Sequence, residues 1–240
     1  MTTARSASVA PLGLGSADTA AVASLVAEPA RAAMLDVLMD GGAHPAGELA
    51  RRAGIAPSTA SEHLARLLAG GLVDRAVTGR KRLYSLASSS VGELLEELAR
   101  FAPPVEVVSL RSAARADALR AARTCYDHLA GRLGVGLTEA LVARRALLLR
   151  DSSYELTVVG ERLLSGLGVD VAAARTRRRS FARTCLDWSE RRPHLAGALG
   201  AALANALLDR GWVERRPNDR GLSITSTGRA SLGELGVECS

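Results

Sequence analysis

From Asp18 onward, apolar residues recur at helical spacing, and the runs break at residues that end helices. Asp18 or Thr19 can cap a short helix through Ala27, and Glu28-Pro29 opens a second one containing Ala33, Leu35, Val37 and Leu38, stopped by Gly41-Gly42. The stretch PAGELARRAGIAPSTASEHLARLLAGGLV reads as helix, tight turn, helix: Gly54 ends the first, and Pro57 takes the first helical position of the second, where its missing N–H costs nothing. After Leu72 the period becomes strand-like in VDRAVTGRKRLYSL, with Thr78-Gly79 as the turn between two short strands. The order helix, helix, helix, β-hairpin predicts a winged helix-turn-helix. A further helix, SSSVGELLEELARFA, puts Val91, Leu94, Leu95, Leu98 and Phe101 on one stripe and ends at Pro103-Pro104. Such a stripe beside so small a domain predicts a homodimer seam; packing against its own domain is the alternative. These elements predict a domain over 18–104, preceded by a flexible tail over 1–17.

Residues 105–240 repeat themselves. HLAGRLGVGLTEALVARRALLL from His128 and HLAGALGAALANALLDRGWVER from His194 share ten identities over twenty-two positions. Further on, YELTVVGERLLSGLGV and LSITSTGRASLGELGV share a Thr, a Gly, two Leu and the closing Gly-Val. Each copy, about 125–169 and about 185–237, reads as helix, helix, short hairpin, helix, with Asp151-Ser152 and Asn218-Asp219 at the hairpin tips. The expected fold class is mostly α with small β-hairpins (α+β): a winged helix-turn-helix, then a helical C-terminal domain of two repeated helix-hairpin units that senses an effector.

The segment 57–69 presents two opposed faces. Ala60, Leu64, Leu67 and Leu68 are spaced to face a core, whereas Thr59, Glu62, His63 and Arg66 share the other side. A helix laid in a major groove needs this division. Short hydroxyls near its start, Ser58, Thr59 and Ser61, can approach phosphates and base edges, and Arg66 can reach a guanine or a phosphate. A solvated helix face has the same pattern, and the wing decides between the two. Arg75, Arg80, Lys81 and Arg82 cluster on or beside one hairpin, where they can neutralise phosphates of double-stranded operator DNA.

Composition adjusts this picture. Of 31 basic residues only Lys81 is Lys, so single arginines carry little information, and aromatics are 3 % of a chain that is 48 % hydrophobic. A core built from Ala, Leu and Val suits packed helices. The formal charge of +6 hints at nucleic acid, yet residues 1–104 hold ten basic and ten acidic side chains, so the excess belongs to 105–240. Apolar runs are too short for a membrane span and the start lacks an apolar secretory core, which together predict a cytoplasmic protein without a membrane partner. No phosphate-binding loop, Gly-x-Ser-x-Gly elbow or nucleophile beside a base is present, so no enzyme is expected.

EPARAAMLDVLMDG followed by ELARRAGIAPSTASEHLARLLAGGLVDRAVTGRKRLYSL resembles the ArsR/SmtB winged-helix repressors, over about 18–103. The pattern residues are Ser58, Thr59, Ser61, His63, Leu64, Leu67, Gly71, Leu72 and Val73. The resemblance implies a homodimer that blocks a promoter and is released by an effector, often a toxic metal or metalloid ion. It assigns His63 to DNA contact or helix structure rather than to metal. The usual metal positions look absent: no Cys precedes Cys125, and the helix after the wing offers only Glu93, Glu96 and Glu97.

The duplicated half holds the remaining candidate ligands. Cys125 and His128 are three apart, a spacing that on a helix shares one face, and Cys185 and His194 are their counterparts across a longer insert. If the copies pack about a pseudo-twofold, the two pairs could converge on a soft ion such as Zn, Cd, Pb or As(III), with Cys239 available as a third thiolate for arsenic. Cys-x-Asp recurs as Cys125/Asp127 and Cys185/Asp187, which packing would also explain, Cys filling a gap and Asp capping or pairing with Arg. Thiol oxidation between Cys125 and Cys185 is an alternative signal. So is a winged-helix module with structural cysteines that answers to a small organic ligand or to none. Arg175, Arg179 and Arg183 would form one stripe if helical, extending the DNA footprint or remaining solvated.

Overall fold

The computed structural model describes residues 17–79, 81–103, 109–217 and 219–238. The chain forms two compact units, one of residues up to Asp36 together with His44–Ala87, the other of Val37–Ala43 together with Ser88 onward.

In the first unit, Asp18 caps α1 (Thr19–Val26) by accepting from the Ala21 N–H at 3.0 Å, and α2 (Pro29–Leu38) starts at the expected proline. The reading pair follows as α3 (Ala46–Ala53) and α4 (Pro57–Ala69), separated where Gly54 adopts a left-handed φ of 69°. Leu49, Ala60, Leu64 and Leu67 are buried, while Leu68 is only partly so. The wing pairs β2 (Val73–Thr78) with β3 (Lys81–Leu86), and a short strand not expected from the pattern, β1 (His44–Pro45), adds to the other edge of β3. Two residues that include a proline carry no readable alternation, and pairing alone makes them a strand.

The division at Ala87/Ser88 corrects the expected boundary at 104: helix α5 (Ser89–Phe101) belongs with the C-terminal unit. Its inner side is Gly92 and Glu96, both buried, rather than the leucine stripe, so ionic and close-packed contacts dock it. Helix α6 (Leu110–Ala121) leads into the duplication.

Each copy is hairpin, helix, hairpin, helix, which corrects the expected helix at its start. The first runs β4 (Arg123–Cys125), β5 (His128–Ala130), α7 (Gly131–Ala143), β6 (Leu147–Arg150), β7 (Ser153–Leu156) and α8 (Val158–Gly166). After α9 (Val171–Arg175), the second runs β8 (Arg183–Leu186), β9 (Pro193–Ala196), α10 (Gly197–Asp209), β10 (Val213–Arg215), β11 (Leu222–Ile224) and α11 (Ser226–Glu234). The copies exchange strands. The first hairpin of copy two completes a sheet ordered β6-β7-β8-β9 with copy one, with the Tyr154 N–H donating to the Ala182 carbonyl at 3.1 Å. Reciprocally, the Leu222 N–H donates to the Ala122 carbonyl at 2.9 Å, and Arg123 bridges Gly221.

Close approach explains the small residues shared by both copies. A Cβ on Gly134 would lie 2.4 Å from the Leu129 carbonyl oxygen, and one on Gly200 would lie 2.5 Å from that of Leu195, so neither position admits a side chain. One core, including Leu133, Leu137, Leu141, Leu147, Leu164, Leu199, Leu203 and Leu207, unites the copies, each such side chain contributing about 1.5–3 kcal/mol by burial.

Candidate functional site

The exposed face of α4 carries Ser58, Glu62 and Arg66, with Thr59 half-buried. Pro57 takes the first helical position after extended Ala56. The Ser61 hydroxyl donates to the Pro57 carbonyl at 2.9 Å. His63, expected to contact DNA or to serve helix structure, is less exposed than Glu62 and Arg66. It is turned inward, with Nδ1 3.4 Å from Arg31 Nη1 and Nε2 3.5 Å from a Glu28 carboxylate oxygen. Arg31 is held there by the Leu25 and Ser24 carbonyls, to which it donates at 2.6 and 2.7 Å.

On the wing, Arg75, Lys81 and Arg82 are exposed, and Arg80 lies outside the described residues. Arg75 pairs with Tyr84 and Val77 with Arg82, which places Arg75 and Arg82 on one face of the ribbon; Lys81, opposite Thr78, points to the other.

In the second unit four side chains from two hairpins meet. Cys125 and His128 are directly opposite each other across the β4–β5 ladder, joined by the turn Tyr126-Asp127 with Tyr126 at φ 59°. Cys185 and His194 are likewise opposite across β8–β9. The expected helical spacing is thus replaced by cross-strand pairing, which brings Cys and His together for either loop length. The donor atoms Sγ, Sγ and the two imidazole nitrogens all lie within 4.8 Å of one another. The sulfurs are 3.8 Å apart and the two Nε2 atoms 3.2 Å apart. Cys125, His128 and His194 are buried and Cys185 is partly exposed. A tetrahedral ion with bonds of about 2.3 Å to sulfur and about 2.0–2.1 Å to nitrogen requires S–S and N–N edges of about 3.8 and about 3.3 Å, which the sulfur and Nε2 separations match, the remaining pairs lying within 4.8 Å. Cys239 lies outside the described residues.

The thiols interact unequally. Hydrogen bonding from Cys125, with help from His128 and His194, holds Cys185 far below the ordinary thiol range, while the same contact and burial push Cys125 up. Behind the imidazoles stand Asp127, with Oδ1 3.2 Å from His128 Nδ1, and Asp187, with Oδ2 3.4 Å from His194 Nδ1. Burial opposes charge on Asp187, but Arg123, Ser189 and the Gly131 N–H outweigh it and hold its carboxyl well below the usual range. Arg123 is fully buried and donates twice to that carboxylate at 2.9 Å.

The centre also touches α5. Glu93 pairs with Arg183 at 2.5 Å, Glu96 pairs with Arg220, and the Arg220 carbonyl accepts from the Thr124 N–H at 2.9 Å, one residue from Cys125. A Cβ on Gly92 would stand 2.9 Å from that of Tyr126. Glu93 and Glu96, along with Glu97, which pairs with Arg100, are therefore engaged by arginines. The remaining face of α5 is open: Leu94, Leu98 and Phe101 are 38, 43 and 83 % exposed, with Val91 and Leu95 partly buried. Arg175, Arg179 and Arg183 form no helical stripe, because α9 ends at Arg175; they engage Glu161, Asp127 and Glu93 respectively. Among the described residues, no helix is long and apolar enough to cross a membrane.

Comparison with known proteins relates the chain to known regulators. A helix-turn-helix domain model matches residues 26–76. The Bacillus subtilis protein YdfF, an uncharacterised HTH-type transcriptional regulator, is 45 % identical over 213 residues, 89 % of this chain and 94 % of that protein. An alignment of that extent takes in most of the duplicated half. The HTH-type transcriptional regulator CmtR of Mycobacterium tuberculosis is 40 % identical over 73 residues, 30 % of this chain and 61 % of that protein. Among solved structures, the cadmium metal-sensor CmtR from Mycobacterium tuberculosis (34 % identity, 38 % of this chain, 93 % of that one) has a TM-score of 0.31. NolR from Sinorhizobium fredii (33 % identity, 34 % and 81 %) has a TM-score of 0.32. The chain belongs to the HTH-type transcriptional regulators.

Proposed function

We propose that the protein is a homodimeric repressor whose operator affinity is set by a thiophilic ion of the zinc and cadmium class, bound by Cys125, His128, Cys185 and His194. The observation that carries the reading is the match between the S–S and N–N separations, 3.8 and 3.2 Å, and those edges of a tetrahedral S₂N₂ site. Trivalent arsenic fits less well, since it seeks three thiolates and only two converge among the described residues. Helix α5 is the relay. Its inner side is fixed to the hairpins that carry the ligands, and its outer stripe Leu94, Leu98 and Phe101 is the surface for a second copy. An ion that draws the two hairpins together thereby biases the dimer and its paired reading helices.

A second reading is supported by a crevice of about 520 Å³ lined by Tyr126, Asp127, Arg177, Arg179, Asn205 and Asp209, large enough for a small polar organic effector. An operator selected from a random duplex pool and titrated with Zn²⁺, Cd²⁺ and peroxide separates the readings. A change in DNA affinity of about 5- to 150-fold on adding ion is the expected result; a response to peroxide alone, or to neither, overturns the metal reading.

The DNA face has its own expected outcome. Arg66→Ala should weaken operator binding about 10-fold or more and relax sequence preference, whereas Arg82→Ala should weaken all duplexes alike and lower the salt slope by about 1. Fluorescence anisotropy over a salt series distinguishes these, and unchanged affinity in both variants would remove α4 and the wing from the interface.

A further inference from the structure

We infer that Asp127, from the first of the two Cys-x-Asp repeats, is a positioning residue of the ion site, turning the imidazole of His128 so that Nε2 faces the ion. The inference rests on the metal reading above. Its ground is geometric. The two hairpins differ in their connections, a two-residue turn in the first and residues 187–192 in the second, yet both bring a carboxylate close to Nδ1 of the histidine: Asp127 Oδ1 is hydrogen-bonded to His128 Nδ1 at 3.2 Å, and Asp187 Oδ2 stands 3.4 Å from the buried His194 Nδ1, which makes no hydrogen bond among the described residues. In both, Nε2 is the nitrogen left facing the opposite copy. A carboxylate behind a metal-bound imidazole fixes its tautomer and ring orientation and raises its basicity.

Asp187 is itself immobilised, accepting two bonds from Arg123, one from the Gly131 N–H at 2.7 Å, and others from Ser189. Asp127 also pairs with Arg179, but that pair is about a quarter exposed and adds little to what the hairpin turn already fixes. The alternative function, in which each aspartate exists only to anchor its arginine, makes a different forecast for the arginine variants. Asp127 is the cleaner member to test, being 25 % exposed where Asp187 is wholly buried beside Arg123.

The experiment is chelator competition for Zn²⁺ on the full-length protein and on Asp127→Asn, Asp127→Glu and Arg179→Met, with Co²⁺ absorption to verify the four ligands. Wild type should bind one ion per chain with the intense spectrum of a tetrahedral S₂N₂ centre. Asp127→Asn should keep that spectrum, bind about 10- to 100-fold more weakly and release the ion faster, and Asp127→Glu should recover most of the loss. Arg179→Met should stay within about 3-fold of wild type, and the metal-free melting temperature of Asp127→Asn should be near that of wild type. Equal affinity of Asp127→Asn and wild type, or an equal loss in Arg179→Met, overturns the positioning role while leaving the metal site intact. Failure of the wild type to bind overturns the metal reading itself.

Discussion

Replacing Cys125 and Cys185 together by alanine should abolish the response of operator binding to Zn²⁺ and Cd²⁺ and cut ion affinity by more than about 10³-fold. The size follows from what remains. Two neutral imidazoles from different hairpins keep neither the charge nor the four-point closure of the site, whereas structural zinc sites of this donor class contribute apparent energies of about 10–16 kcal/mol in small domains. The same loss should register in stability. Ion at about 100 times its Kd adds about 2.7 kcal/mol to the folded state, which for a unit of this size raises Tm by about 5–10 °C. That increment should vanish in the double variant and, in wild type, on addition of a chelator. Both thiols are small and Cys125 is buried, so the metal-free variant loses only modest packing and should still bind operator. Calorimetry with and without ion, paired with anisotropy on the operator, checks both halves. A double variant that still responds to ion would remove the cysteines from the effector site.

Much of this architecture was legible in the sequence because it is written in local signals. Pro57 at a helix start, Gly54 in the left-handed region and the turn before Lys81 each act through the backbone of one or two residues, and α3, α4 and the wing fall where those residues put them. The duplication was legible too, since a repeated packing problem keeps Gly134 and Gly200 small. What escaped depends on pairing between distant segments. Cys125 and His128 sit at a spacing that a helix and a tight hairpin both satisfy, and only the ladder partner settles which forms. The boundary at Ala87 escaped for a similar reason: α5 shows an amphipathic stripe, but the partners of its Glu93 and Glu96 lie near residues 183 and 220, far along the chain. Cys-x-Asp stood out as a repeat, while its aim at the imidazoles required the fold.

Those glutamates lead to the second large effect. Arg220→Met should destabilise the C-terminal unit by about 3–5 kcal/mol, because it strands the Glu96 carboxylate, 3 % exposed, without its charge partner. Replacing both partners, as Glu96→Leu with Arg220→Met, removes the stranded charge and should restore most of that stability, since apolar groups of similar volume often substitute for a buried pair without loss. The double variant then isolates the relay. Its four ligands are untouched, so ion affinity in the absence of DNA should stay near wild type. Among the described residues, α5 keeps the Glu93–Arg183 pair to the strand bearing Cys185 and the Gly92–Tyr126 contact beside the strand bearing Cys125, and with the Glu96–Arg220 link gone the ion-induced change in operator affinity should fall several-fold. Because coupling is reciprocal, bound operator should likewise lose most of its influence on ion affinity. Denaturation with urea, ion titration and operator anisotropy on the two singles and the double complete the cycle. A double variant that binds ion normally and still transmits it in full would show that the signal bypasses Glu96 and Arg220.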